Sequence, residues 1–164
     1  MYEVIKVAKV KTNVMRILDK EEIEYDTHSY NPEDGKVDGI SVSQKINVEA
    51  NRVFKTLVTR GNSKEVYVFV IPVEKELNLK KAAKSVGEKS IEMVKVEDIN
   101  KLTGYIRGGC SPIGMKKTYK TVIDMSASTI DKIVVSAGKI GYQVELNPKD
   151  IIALVGGIFS DISI

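Results

Sequence analysis

One cysteine, one histidine and four prolines in 164 residues set the first limits on this chain. Cys110 cannot close an internal disulfide, and with His28 as the only imidazole the chain cannot assemble a Cys/His zinc site of the usual ligand count. Catalysis by several histidines is excluded, and a nucleophile–His–acid triad would have to be built around His28. Any chemistry must rest on lysine, hydroxyls, carboxylates, backbone groups or the substrate itself, so neither a metal nor a cofactor is expected. Long hydrophobic runs are also missing. The longest, Val66 to Val73 and Ile151 to Phe159, fall well below the roughly 20 residues that cross a bilayer, and no membrane partner is expected. The N-terminus carries Glu3, Lys6, Lys9 and Lys11 with no compact apolar block behind them. It does not read as a secretory signal, and a cytoplasmic location is expected.

What is present is the composition of a folded protein. Hydrophobic residues make up 43% and charged residues 29%, which excludes disorder as the main state, and the length suits one domain spanning residues 1–164. The formal charge of +3 permits an anionic partner without demanding one.

Apolar residues at Val14, Ile17, Leu18 and Ile23 predict an amphipathic helix over 11–22, followed by a strand over 25–30. The tract from Asn31 to Gly39, with Pro32 and several acidic residues, reads as loop. Ser41 and Gln44 form a capping-box pair for a short helix running toward Val48. Val53 to Thr59 and Glu65 to Ile71 predict a hairpin whose second strand, apolar on both faces, lies centrally. Helices are predicted over 78–86, capped by Asn78 and stopped by Gly87, over 97–102 ending at Gly104, and over 148–155 with Pro148 first and Gly156 past its end. Further short strands are expected near 91–94, 121–124, 132–136, 142–146 and 158–162. This order mixes hairpins with irregularly inserted helices, which predicts an α+β fold around a mixed, curved, barrel-like β-sheet.

Four places carry chemical interest. Alternation along the strand puts Val53, Lys55, Leu57 and Thr59 on one face, so Lys55 sits between apolar neighbours. A buried, unpaired ammonium is costly, and a substrate cleft would relieve it; an edge-exposed lysine is the plain alternative. Arg107 to Gly114 holds three glycines and Pro112, and paired Gly108 and Gly109 could aim main-chain amides at a developing negative charge, or simply turn the chain. Cys110 lacks a neighbouring base, although Arg107 folded back would lower its pKa; a small buried hydrophobe is the other role open to it. His28 shares its strand face with Asp26 and Tyr30, and Ser136 ends an apolar strand, each either lining a pocket or doing neither. Lys116, Lys117 and Lys120 interleave with Tyr119, and Lys80, Lys81 and Lys84 add a second basic face; such patches bind phosphate backbones or remain solvated.

The segments Asn51 to Leu57, Leu77 to Ser85, Thr103 to Lys117 and Val135 to Lys139, in this order and at this spacing, resemble the YbaK/EbsC group of aminoacyl-tRNA deacylases. The resemblance runs from the first helix to the last strand. It implies a fold similar to the editing domain of bacterial prolyl-tRNA synthetases, tRNA as partner with prolyl-tRNA synthetase beside it, and trans-editing hydrolysis of mischarged aminoacyl-tRNA, chiefly Cys-tRNA(Pro). It implies Lys55, Gly108 and Ser136 as catalytic, with Tyr30, Thr56, Gly109 and Ser111 contacting substrate and Lys116, Lys117 and Lys120 contacting tRNA. It also implies that the substrate cysteine's thiol attacks its own ester carbonyl and cyclises, while the pocket positions and stabilises charge. A pocket phenylalanine of the group falls near Asp38 here, so the preferred amino acid stays open. Hydrolysis of Ala-tRNA(Pro), a non-catalytic tRNA- or synthetase-binding module of the same fold, and a thiol enzyme using Cys110 are the alternatives.

Overall fold

The computed structural model describes residues 10–164. The N-terminal stretch read above for a secretory signal therefore lies, up to residue 9, outside the described residues. Among the described residues no helix is long and apolar enough to cross a membrane.

Helix α1 (Asn13–Lys20) opens on Thr12, whose hydroxyl accepts from the Met15 amide at 3.3 Å, and buries Val14, Met15 and Leu18. Strand β1 (Asp26–Ser29) and the loop after it lead to α2 (Gly39–Lys45). This helix starts two residues before Ser41, because the Asp38 carboxylate is its cap: it accepts from the Ser41 amide at 3.1 Å and the Ser41 hydroxyl at 2.7 Å. Ser41 is thus the capped residue and not the cap, which corrects the sequence expectation. Gly39 is required there by space, since a Cβ would stand 2.3 Å from Val73 Cγ1.

A 3₁₀ turn at Ala50–Arg52, unsignalled by any periodicity, feeds the hairpin β2 (Phe54–Gly61) and β3 (Val66–Pro72). Helix α3 (Leu79–Val86) runs between the residues expected to bound it. Asn78 Oδ1 accepts from the Lys80 and Lys81 amides, both at 3.1 Å, and Gly87 takes φ 73° at the C-terminus. Next come β4 (Ile91–Met93), α4 (Val96–Thr103), an irregular glycine-rich segment, β5 (Lys120–Asp124), a second 3₁₀ turn at Met125–Thr129, and β6 (Ile133–Ser136). The chain ends with β7 (Tyr142–Leu146), α5 (Pro148–Val155) and β8 (Ile158–Ser160).

The mixed strands form a five-stranded sheet ordered β4-β2-β3-β5-β8 and a three-stranded sheet ordered β1-β7-β6. The fold is α+β. One parallel bridge, Val53 to Val134, joins the sheets. Their inner faces pack into one core, in which Phe54, Val68, Val70 and Ile123 meet Val135, Val144, Leu146 and the buried face of α1. The other face of the larger sheet, through Tyr67, Phe69 and Ile71, packs on Ala82 and Ala83 of α3. Strand β3 is central and covered on both sides, as its uninterrupted apolar sequence requires.

Candidate active site

Strand β4 pairs with β2 only at Thr59 to Gly61, and the Val53 bridge is not extended. Among the described residues, the outer edge of β2 from Phe54 to Leu57 therefore has no strand partner. A cavity of about 680 Å³ opens against it, within the size range of small-molecule sites. Because the cavity wraps an open edge, both Lys55 and Thr56 reach it although alternation sends them to opposite faces. The glycine-rich segment supplies Arg107, Gly108 and Cys110, β6 supplies Ser136, and the start of α2 supplies Asp38.

Lys55 makes no ion pair among the described residues. Burial pulls its pKa down, with the Glu76 carboxylate opposing that shift. The side chain is a cation held part-way out of water with no fixed counter-ion. Gly108 has φ 88°, which favours glycine, and its amide has no backbone partner among the described residues. Ser136 Oγ accepts from the Gly138 amide at 3.2 Å, leaving its proton to donate elsewhere. Bonds from the Ser41 hydroxyl and amide hold the Asp38 carboxyl below its ordinary pKa, so a negative charge stands at one wall.

Cys110 lines the cavity, but burial pushes its thiol up to about 11, a hydrogen bond with Thr103 opposing. It is a protonated thiol near neutral pH. His28 does not line the cavity. Its Nε2 lies 2.6 Å from Glu145 Oε1, and Glu145 also binds Arg52, so no Cys–His pair forms. Tyr30 lies one residue past β1, its amide still donating to Gly141 O at 2.9 Å.

The remaining expected site residues fall elsewhere. Gly109 donates its amide to Ile106 O at 2.9 Å and closes a turn, so its N–H is not available to a substrate. Ser111 is fully buried, its hydroxyl accepting from the Ile113 amide. Neither lines the cavity; both shape the loop that does. Tyr30 is one step removed as well. Its ring lies 5.0 Å under Lys45 Nζ, and that ammonium ties down the loop preceding α2 through Asp34 at 2.7 Å and Lys36 O at 2.8 Å. Lys116, Lys117 and Lys120 are exposed and outside the cavity, with Lys117 beside a second cavity of about 150 Å³. Sequence reasoning missed Gln143, a cavity residue on β7 directly opposite Ser136. The signal was the hairpin register across Gly138 to Gly141, which pairs these two polar residues.

The sequence profile of the aminoacyl-tRNA editing domain family matches residues 38–154. The chain belongs to that family. This editing domain is 43% identical over 158 residues to EbsC of Enterococcus faecalis, described as a candidate Cys-tRNA(Pro)/Cys-tRNA(Cys) deacylase, with 96% of each chain covered. A proline–tRNA ligase of Lactobacillus helveticus is 26% identical over 130 residues, 73% of this chain and 23% of that enzyme. Among solved structures, a candidate trans-editing enzyme for prolyl-tRNA synthetase shares the fold with a TM-score of 0.80 at 20% identity, covering 95% of this chain and 99% of that one. The matched residues of the editing domain take in Lys55, Gly108, Ser136 and Gln143 and leave Tyr30 outside.

Proposed function

We propose that this editing domain hydrolyses the ester joining a wrong amino acid to tRNA, with Cys-tRNA(Pro) as its substrate. The observation that carries the reading is Lys55, a cation without a counter-ion in the cavity that also holds Gly108 and Ser136. A terminal phosphate or a developing oxyanion meets the unmet charge of Lys55, and the Gly108 amide is free to share it.

No side chain in the cavity is an activated nucleophile. Cys110 keeps its proton, and His28 is separated from Ser136 by β7 and bound to Glu145, so Ser136 has no base in hydrogen-bond reach. The attacking group therefore comes from water or from the substrate. A cysteinyl ester brings its own thiol: its sulfur bonds to the carbonyl carbon as the ester C–O bond breaks, the ribose oxygen leaves with the thiol's proton, and water then opens the cyclic thioester to cysteine, so the site has only to hold thiol and carbonyl in reach. Tyr30, Thr56, Gly109 and Ser111 then serve the aminoacyl end, Thr56 by contact and the others through the loops they brace. Lys116, Lys117 and Lys120 lie on the surface for tRNA phosphates, and prolyl-tRNA synthetase is the proposed protein partner, supported by the likeness to proline–tRNA ligases.

Incubation with Cys-tRNA(Pro) and separately with Ala-tRNA(Pro) should release cysteine faster than alanine. No release above the spontaneous rate from either, together with tight, salt-sensitive tRNA binding, would replace the deacylase with a binding module.

A further inference from the structure

Two buried oxygens in the cavity have no hydrogen-bond partner among the described residues, Thr56 Oγ1 and Gln143 Oε1. Gln143 is 6% exposed, so water reaches it poorly. The side chain brings one carbonyl acceptor and one NH2 donor to this wall, and it is the acceptor that is left without a bond. Gln143 also lies within a row, between Ser136 on β6 and His28 on β1. Extending the parallel Val53–Val134 alignment by two residues sets Lys55 level with Ser136, and Ser136 is the register partner of Gln143. Across the gap beyond that bridge, β2 carries a cation, β6 a hydroxyl and β7 a neutral amide, and His28 beyond them on β1 is held by Glu145.

An aminoacyl ester has matching polarity. Its phosphate end is anionic, its ester is central, and its amino acid carries an ammonium, which Lys55 repels and an uncharged acceptor receives. We propose that Gln143 accepts a hydrogen bond from the α-amino group of the esterified amino acid and is a specificity-determining residue of the site. The inference rests on the aminoacyl-ester reading above. It fixes the direction in which the substrate lies: phosphate and ribose toward Lys55 and Arg107, amino acid toward β7. A carboxylate at 143 would also accept, whereas an apolar side chain would leave the ammonium unpaired in a desolvated place.

The test compares Cys-tRNA(Pro) with N-acetyl-Cys-tRNA(Pro) in single-turnover deacylation, each normalised to its uncatalysed rate. The wild type should favour the free amine. Gln143→Leu should lose roughly 10- to 100-fold in kcat/KM on the free-amine substrate, mostly through KM, with little change on the acetylated one. Gln143→Glu should keep the preference. Equal losses on both substrates would mark a structural role and overturn the proposal, as would no loss at all or loss of the preference in Gln143→Glu. Calorimetric binding of a non-hydrolysable 3′-aminoacylamino-adenosine and its N-acetyl form serves as the second measurement. A wild type that turns over neither tRNA defeats the deacylase reading. The calorimetric preference for the free amine, present or absent, still decides Gln143.

Discussion

Replacing Lys55 by methionine separates function from folding, because this side chain is one the fold does without. Methionine matches the length of the lysine stem and fits between Val53 and Leu57, which line the same cavity. The native ammonium pays for its partial desolvation. Its folded pKa lies below the unfolded value, so the penalty is complete below the folded pKa and is relieved only as pH rises through it toward 10.5. At neutral pH the penalty is therefore present, and Lys55→Met removes it. Stability should stay within about 1 kcal/mol of wild type or rise, a shift of at most about 4 °C in Tm for a chain of this size. Activity should move the other way. Losing one preorganised charge contact to a developing oxyanion or phosphate costs about 2–4 kcal/mol, or roughly 30- to 1,000-fold in kcat/KM. Single-turnover deacylation of Cys-tRNA(Pro) and a thermal melt on the same sample read both quantities. Near-native turnover in Lys55→Met would refute the assignment, and a lost activity that tracks a Tm drop of 10 °C or so would reassign Lys55 to the fold.

Two further outcomes follow from the cavity wall. The Cys110 thiol ionises near 9.0 unfolded and about 11 folded, so stability should fall by about 2–3 kcal/mol as pH rises across that window. Chemical denaturation of wild type and Cys110→Ser in parallel measures it; the serine variant should show a fall smaller by that amount, the remainder coming from Tyr67 and Tyr105, whose hydroxyls are pushed up to about 12, and should deacylate normally, and inactivation by Cys110→Ser would restore the thiol-enzyme alternative. Lys45→Met should free the loop tied through Asp34 and Lys36 O, raising KM several-fold with kcat held and stability changed by about 1 kcal/mol or less. A fall in kcat alone would contradict that positioning role.

Local chemistry explains how much of the fold was legible. Asn78 and Gly87 bound α3, and Pro148 and Gly156 bound α5, because cap residues act within a few positions of themselves. The start of α2 was misplaced since Asp38 and Ser41 both carry cap side chains and the charged one prevails. The 3₁₀ turns at Ala50–Arg52 and Met125–Thr129 are too short to show a period. The site was legible only in pieces. Lys55, Gly108 and Ser136 lie far apart in sequence and meet through the order of strands in two sheets. Gln143 looks like an ordinary strand glutamine until the register across Gly138 to Gly141 is worked out and sets it opposite Ser136.

The lone Val53–Val134 bridge gives the cavity a mechanical origin. It acts as the pivot of a wedge, so the gap's breadth depends on how far two rigid ribbons splay beyond it, more than on the bulk of any group facing the ligand. Val53, Val134 and Val73 pack together at that pivot. Val53 and Val73 also line the opening and Val134 does not, so trimming or enlarging Val134 would resize it from behind while leaving every charged or polar group in it unaltered.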